Sequence, residues 1–178
     1  AIAGAIAAKH LSNPESSNVG IIGAGIQAKM QLEALLLVRN IKTAYIWSRD
    51  SKKTNTFVKN IKDKINIKII ACESPEQTVN LSEILITCTP SKSPIIKSEW
   101  LKKGLHITAM GSDAEMKNEL DPKIIKDCDC YIPDSQSQTS ILGELNHAIK
   151  AGLVSAEKKY NELYKKEYEI ALQSIWTN

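Results

Sequence analysis

The sequence predicts an α/β fold in three layers, α/β/α, with a doubly wound parallel sheet in the middle. Three observations predict it. Short apolar runs recur along the chain, each bounded by turn residues. Between them lie stretches whose apolar residues fall at helical spacing, and the first run passes directly into a glycine turn, Gly23-Ala24-Gly25. Strands that alternate with helices in this way connect through right-handed crossovers, which require parallel pairing and put helices on both faces of the sheet.

Taken in order, Ala1 to Leu11 reads as an entry helix within a leading segment, 1–14. Ser12-Asn13-Pro14 ends it, because proline cannot continue a helix and biases the residue before it towards extended backbone. Val19 to Ile22 is the first strand. From Ile26 to Val38 a helix is expected, since Ala28, Leu32 and Leu35 recur at i, i+4 and i+7. Thr43 to Ser48 is a second strand, and Ser51 is a candidate cap for a helix carrying Phe57, Val58 and Ile61 on one face. Asn66 to Ile70 is a third strand. Ser74-Pro75-Glu76-Gln77 then offers an N-cap, a proline at the first helical position and a glutamine that can close a capping box. Glu83 to Cys88 and Leu105 to Met110 are further strands, separated by a proline-bearing loop and a short turn around Trp100. Cys128 to Ile132 is a candidate sixth strand. Together these units make a Rossmann-type sheet.

The length suits one domain, so 1–178 reads as a single Rossmann-type domain, with 153–178 as a C-terminal helical tail. Lysine and arginine (23) barely exceed aspartate and glutamate (20) and are scattered, so charge does not suggest nucleic acid as a partner. Cys72, Cys88, Cys128 and Cys130 have no zinc-ligand spacing and read as buried free thiols, which favours a reducing, cytoplasmic setting, with disulfides the alternative that an even count leaves open. No metal site is expected. No apolar run approaches the roughly 20 residues that span a bilayer, so no membrane association is expected. The start AIAGAIAAKH has neither a basic leader nor an initiator methionine, and the expectation is a chain that begins inside a longer, two-domain protein.

The glycine turn carries the chemistry. At a strand-turn-helix junction the first glycine permits the tight turn and the second lets a diphosphate approach the backbone. A small third residue lets helix and strand pack closely. Gly23, Gly25 and Ala28 hold those places, and Ala24, Ile26 and Gln27 complete the loop. The helix beginning near Ile26 offers unpaired N–H groups and the positive end of its dipole to the phosphates. A glycine turn that merely packs is the plainer alternative. At the end of the second strand, an acidic side chain selects NAD through the ribose 2′-hydroxyl, and a basic one accommodates the 2′-phosphate of NADP. Here the residues are Ser48, Arg49 and Asp50. A hydroxyl beside a planar guanidinium favours NADP, while Asp50 leaves NAD open. Arg49 as an ordinary surface charge is the competing view.

With the turn placed, five stretches resemble the ornithine cyclodeaminase and mu-crystallin family: GIIGAGIQAKMQLEAL, IWSRD, ITCTPSKSPII, WLKKGLHITAMGSDAEMKNELDP and GELNHAIKAG. Their order and spacing cover nearly everything from Ala1 to about Gly152. The resemblance implies a nicotinamide cofactor and hydride exchange with the α-carbon of an amino acid or with a cyclic imine. The reaction classes it implies are deamination with cyclisation, dehydrogenation and ketimine reduction. A non-catalytic dinucleotide- or small-ligand-binding module of mu-crystallin type is the alternative it also carries. It further implies a homodimer for the full-length protein. The family's N-terminal segment supplies substrate-binding lysine and arginine side chains, so this chain alone is expected to bind dinucleotide and turn over little substrate.

By position in GSDAEMK, Asp113 matches the family's acidic proton-transfer residue. A carboxylate beyond the fifth strand suits that task, because an amino acid must present a neutral amine before it can lose hydride. A turn or N-cap aspartate is the alternative. Lys117 is similarly placed, and Glu115 and Met116 replace the motif's usual proline and glycine. Cys88, Thr89 and Pro90 follow the fourth strand, where the loop would pass the nicotinamide ribose, and Met110 ends the fifth strand by the ring. His106 lies inside a strand pattern and reads as structural.

Overall fold

The computed structural model describes residues 1–163. Its elements run α1 (Ile2–Leu11), β1 (Asn18–Ile22), α2 (Ile26–Leu36), β2 (Thr43–Trp47), α3 (Ser51–Lys62), β3 (Lys68–Ala71), α4 (Pro75–Leu81) and β4 (Ile84–Thr87). A 3-10 turn (Ser98–Trp100), β5 (His106–Ala109), α5 (Pro122–Asp127), α6 (Gln136–Thr139) and α7 (Glu144–Lys150) follow. The five strands form one sheet in the order β3-β2-β1-β4-β5, and every pairing is parallel. The order reverses between β1 and β4. In sheets of this kind the crevice beyond the carboxyl ends at the reversal is where ligands bind.

Period-two alternation builds the three layers. Ile21, Ile84 and Ile86 point to one face with Ala28, Leu32, Leu35, Phe57 and Ile61 from α2 and α3. Their neighbours Ile22 and Leu85 point to the other face with Val79 of α4 and Ile124 of α5. Central strands buried on both sides therefore read as unbroken apolar runs. Leu32 is completely buried and Leu35 nearly so, and truncating either to alanine costs about 2–5 kcal/mol on general grounds. A third, smaller cluster joins Leu145 and Ala148 of α7 to Ile125, Tyr131 and Tyr160.

Helix ends follow local chemistry. The Ser74 hydroxyl accepts from the Gln77 N–H at 3.0 Å, and the Gln77 side chain reaches back to the Glu73 N–H at 2.8 Å, one residue earlier than a capping box requires. The cap of α3 is Asp50 rather than Ser51, which is already helical. The Asp50 carboxylate accepts from the Lys53 N–H at 3.1 Å, and an ionised acceptor suits the positive helix end. At the end of α1, the Arg39 guanidinium donates to the carbonyls of Ala8, Lys9 and Ser12 at 2.9, 2.6 and 3.0 Å, satisfying groups that helix termini leave open.

Three further expectations are corrected. Cys128 to Ile132 forms no strand. Pro133 follows it at once, Tyr131 packs edge-on against Tyr160 with ring centres 5.0 Å apart, and the Pro133 carbonyl accepts from the Leu163 N–H at 2.9 Å. The segment is thereby committed to the α7 side instead of extending the sheet. Of the expected helical tail, 153–163 is turn and irregular chain, and the remainder lies outside the described residues. Among the four thiols, only Cys72 is buried: Cys88 is half-buried, and Cys128 and Cys130 are exposed beside the charged Asp129. No helix among the described residues is long and apolar enough to cross a membrane.

Candidate functional site

Strand register sets the candidate residues in a row. Ile22 pairs with Trp47 on one side and Thr87 on the other, and Thr87 pairs with Ala109. The next residue of each strand is therefore Ser48, Gly23, Cys88 and Met110, in spatial order along the carboxyl edge. Three backbone bonds extend the ladder along this row past the strands: Gly23 N–H to the Trp47 carbonyl at 2.7 Å, Cys88 N–H to the Ile22 carbonyl at 2.9 Å, and Met110 N–H to the Thr87 carbonyl at 2.8 Å. Three strand spacings of about 4.8 Å give the row a span of roughly 14 Å, the scale of an extended dinucleotide.

At the centre of the row, the two glycines differ. Gly23 has φ +129°, and its N–H donates to the Trp47 carbonyl at 2.7 Å. A β-carbon there would lie 2.9 Å from both the carbonyl oxygen and the Sγ of Cys88. Gly25 caps α2 with ordinary extended backbone, and a β-carbon there would meet nothing within 4 Å. The turn thus closes against protein at the first glycine and opens outward at the second. Gly25, Ile26 and Gln27 are exposed, with Ile26 78% accessible despite its apolar side chain, while Ala28 is fully buried against the sheet. The turn therefore presents a helix start and open backbone, with no acidic side chain, at the carboxyl edge, and a terminus of this kind favours an anion.

Beyond β2, the Ser48 hydroxyl is engaged locally, with the Asp50 carbonyl at 3.0 Å and the Thr54 hydroxyl at 2.7 Å. Asp50 is turned to its capping bond. Arg49 is exposed and makes no ion pair or side-chain hydrogen bond among the described residues. It is a cation without an ion-pair partner among the described residues, next to the end of the row.

At the other end, Asp113 sits four residues past β5, with its side chain 72% accessible and paired with the ammonium of Lys117. Hydrogen bonding from Lys117 comes first among the causes that hold the Asp113 carboxyl below its ordinary value. It is therefore an anion and a proton acceptor near neutral pH. Cys88 is of the opposite character: burial, then the nearby Glu119 charge, push its thiol up to about 12, so it stays protonated and is no nucleophile. His106 opens β5 and shares a hydrogen bond with the Thr108 hydroxyl at 3.0 Å, away from the carboxyl edge.

Sequence reasoning missed two carboxylates behind this edge. Glu119 is fully buried, and its oxygens accept from the Thr87 hydroxyl at 2.8 Å, the Thr89 N–H at 2.6 Å and the Gly111 N–H at 2.8 Å. Glu144, also buried, accepts from the Ser112 hydroxyl and from the N–H groups of Glu119 and Leu120 at 2.8 and 3.2 Å. Burial pushes both carboxyls upward and their donors oppose it. Their only signal in the sequence is their place inside the quoted NEL and GEL stretches. A shallow concavity of about 650 Å³ between Asn40–Lys42 and Lys62–Lys68 lies at the amino ends of β2 and β3, at the opposite end of the sheet.

Residues 1–171 match the family described as ornithine cyclodeaminase/mu-crystallin. An uncharacterized cyclodeaminase of Sinorhizobium fredii is 50% identical over 163 residues, which are 92% of this chain and 49% of that protein. Among solved structures, an archaeal alanine dehydrogenase dimer with bound NAD is 36% identical with a TM-score of 0.82, matching 90% of this chain and 49% of its own. The Δ1-pyrroline-2-carboxylate reductase of Thermococcus litoralis, in complex with NADH and L-proline, is 28% identical with a TM-score of 0.85, matching 94% and 53%. The chain spans about half the length of the relatives it matches.

Proposed function

The chain belongs to the ornithine cyclodeaminase/mu-crystallin family, and from that premise we propose that it is the cofactor-binding portion of a nicotinamide-dependent enzyme. The whole protein would move a hydride between the cofactor and the α-carbon of an amino acid or the C=N carbon of a cyclic imine. Amino acid cyclodeamination, dehydrogenation and ketimine reduction are the reactions within that description. The observation that carries the proposal is the pair of glycines, one sealed against Cys88 and the next open to solvent at the start of α2.

The residues present fit the dinucleotide. Gly23 would shape the turn while the backbone N–H groups of Ala24, Gly25, Ile26 and Gln27 would hold the diphosphate, Ser48, Arg49 and Asp50 would meet the adenosine ribose, and Cys88, Thr89 and Met110 would flank the nicotinamide half. At the ribose we favour NADP, on the free Arg49 beside Ser48 and the commitment of Asp50 to its helix cap. NAD is the competing cofactor, since both solved relatives above were obtained with NAD or NADH.

When bound, the nicotinamide ring accepts or returns the hydride. Asp113 handles the proton. In the oxidative direction its carboxylate takes a proton from the substrate ammonium, leaving the neutral amine whose lone pair expels hydride from the α-carbon. In the reductive direction the same carboxylate relays a proton taken up from solvent to the imine nitrogen first, making its carbon electrophilic. Lys117 keeps Asp113 ionised between these events. Because the chain spans about half of each relative, we expect it to bind dinucleotide and, by itself, to turn over little substrate. We propose a homodimer for the whole protein.

Titration with NADPH and NADH, followed by energy transfer from tryptophan to the reduced ring, tests the reading. Trp47 ends β2, and its carbonyl bonds the Gly23 N–H, so a seated cofactor lies beside it. Saturable transfer with one nucleotide is expected. Absence of both transfer and calorimetric heat with either nucleotide overturns the reading.

A further inference from the structure

Glu119 and Glu144 have no part in the chemistry above, yet they are the most completely hydrogen-bonded side chains near it. The three donors to Glu119 come from three separate places: Thr87 at the end of β4, Thr89 in the loop after it and Gly111 in the loop after β5. Every one is a donor, so the site is shaped for the ionised carboxylate. The main chain of Glu119 is itself fixed from two directions. Its carbonyl accepts from the N–H groups of Ile95 and Ile96 at 2.8 and 3.0 Å, and its N–H donates to Glu144 at 2.8 Å. Glu144 in turn takes the Ser112 hydroxyl, next to Asp113. One turn along α7, His147 donates to the Lys117 carbonyl at 2.8 Å.

Two buried like charges are not what stability alone would place here, because an apolar pair of similar shape packs without their desolvation. Their acceptor geometry is what an apolar pair could not supply. The loops they join are those on the β4–β5 side of the switch point, opposite the β2 end where the adenosine ribose belongs.

We propose that Glu119, braced by Glu144, is a positioning residue for the nicotinamide half of the cofactor: it fixes the spacing between the Thr89 and Gly111 loops, between which that half is seated. The inference rests on the cofactor reading above. It assigns the buried acids a role in holding the reactive ring and none in the diphosphate cradle, which lies on β1 and α2.

The test is a split between two ligands of the chain. One is whichever of NADH and NADPH binds more tightly. The other is the matching adenosine diphosphate, with or without the 2′-phosphate, which lacks the nicotinamide riboside. In Glu119→Gln the amide NH₂ opposes an N–H or hydroxyl donor, and affinity for the reduced dinucleotide should fall about tenfold or more while the diphosphate changes less than about twofold. Thr87→Val, which removes one donor, and Glu144→Gln, which loosens the brace, should move the same ratio in the same direction by less. Thermal melts accompany each titration, and if Glu119→Gln does not fold, Thr87→Val decides. Equal weakening of both ligands, or an unchanged ratio, overturns the inference and leaves the cofactor reading standing. A parent chain that binds neither ligand overturns both.

Discussion

A β-carbon on Gly23 would stand 2.9 Å from the Cys88 carbonyl oxygen and equally close to its Sγ, so the ends of β1 and β4 meet only because that carbon is missing. The same residue has φ +129°, a region that side-chain-bearing residues rarely adopt. Gly23→Ala must therefore push back the Cys88 backbone and hold a strained dihedral. We expect a loss of about 1–3 kcal/mol in urea unfolding together with loss of dinucleotide binding. Parent-like stability in that variant would mean the turn relaxes by another route.

Gly25→Ala is expected to do the reverse. Its backbone is ordinary and its missing β-carbon points into open space, so only the poorer capping of alanine is felt, a cost of about 1 kcal/mol or less. The added methyl nevertheless projects into the open space at the start of α2. Dinucleotide affinity should drop about tenfold or more, since close backbone approach is what the second glycine provides. Calorimetry on the two variants side by side separates a damaged turn from a filled cradle.

What could be read from the sequence is what repeats locally. Ala28, Leu32 and Leu35 announce a buried helix face by spacing alone, and Ile21 and Ile22 announce a strand covered on both sides. Gly23 and Gly25 were legible because a tight turn between strand and helix has few solutions. Glu119 and Glu144 were not, because an acidic letter in a polar stretch reads as surface, and their burial depends on donors that fold together from as far as 32 residues away. Cys128 to Ile132 misled for the converse reason. Its apolar letters suited a strand, but Tyr131 is taken up by Tyr160, a partner no local pattern reveals. Ser51 was a reasonable cap by residue type, and the carboxylate one place earlier displaced it.

Asp113 and Lys117 predict a linked pH effect in the whole protein. Asp113→Asn should lower kcat by about 10²–10⁴ without changing dinucleotide affinity, the usual worth of a positioned acid or base. Lys117 lowers the Asp113 pKa, chiefly through its hydrogen bond, so Lys117→Met should raise it. The acidic limb of the kcat/KM profile should then move to higher pH. A limb that stays put in Lys117→Met would show that another group sets it.

Arg49 predicts cofactor choice. The side chain is exposed and makes no ion pair among the described residues, so Arg49→Ala should leave the melting temperature within a degree or two on general surface grounds. Its guanidinium is free to meet a 2′-phosphate. Affinity for NADPH should fall about tenfold while NADH is little changed, the scale of one charge-assisted contact. Equal affinities in parent and variant would assign the ribose end to NAD.

His106 predicts how stability depends on pH. Burial first, and the Arg39 charge second, lower its pKa from 6.5 to about 4. In the unfolded chain the imidazole takes up a proton as pH falls through about 6.5, while in the folded chain it resists until about 4. Between those values the unfolded state binds more protons, so stability is full above about 6.5 and is lost as pH falls towards 4. At 1.36 kcal/mol per unit the loss attributable to this residue is about 3 kcal/mol. Glu119 and Glu144, raised by burial, run in the opposite sense, so the quantity to compare is the parent minus a His106→Gln variant. Urea unfolding at several values between pH 4 and 7.5 should show that difference shrinking as the solution is acidified. A difference independent of pH would mean that His106 is protonated as readily in the folded chain as in the unfolded one, and that Arg39 and the α1 packing around it do not exclude the charge.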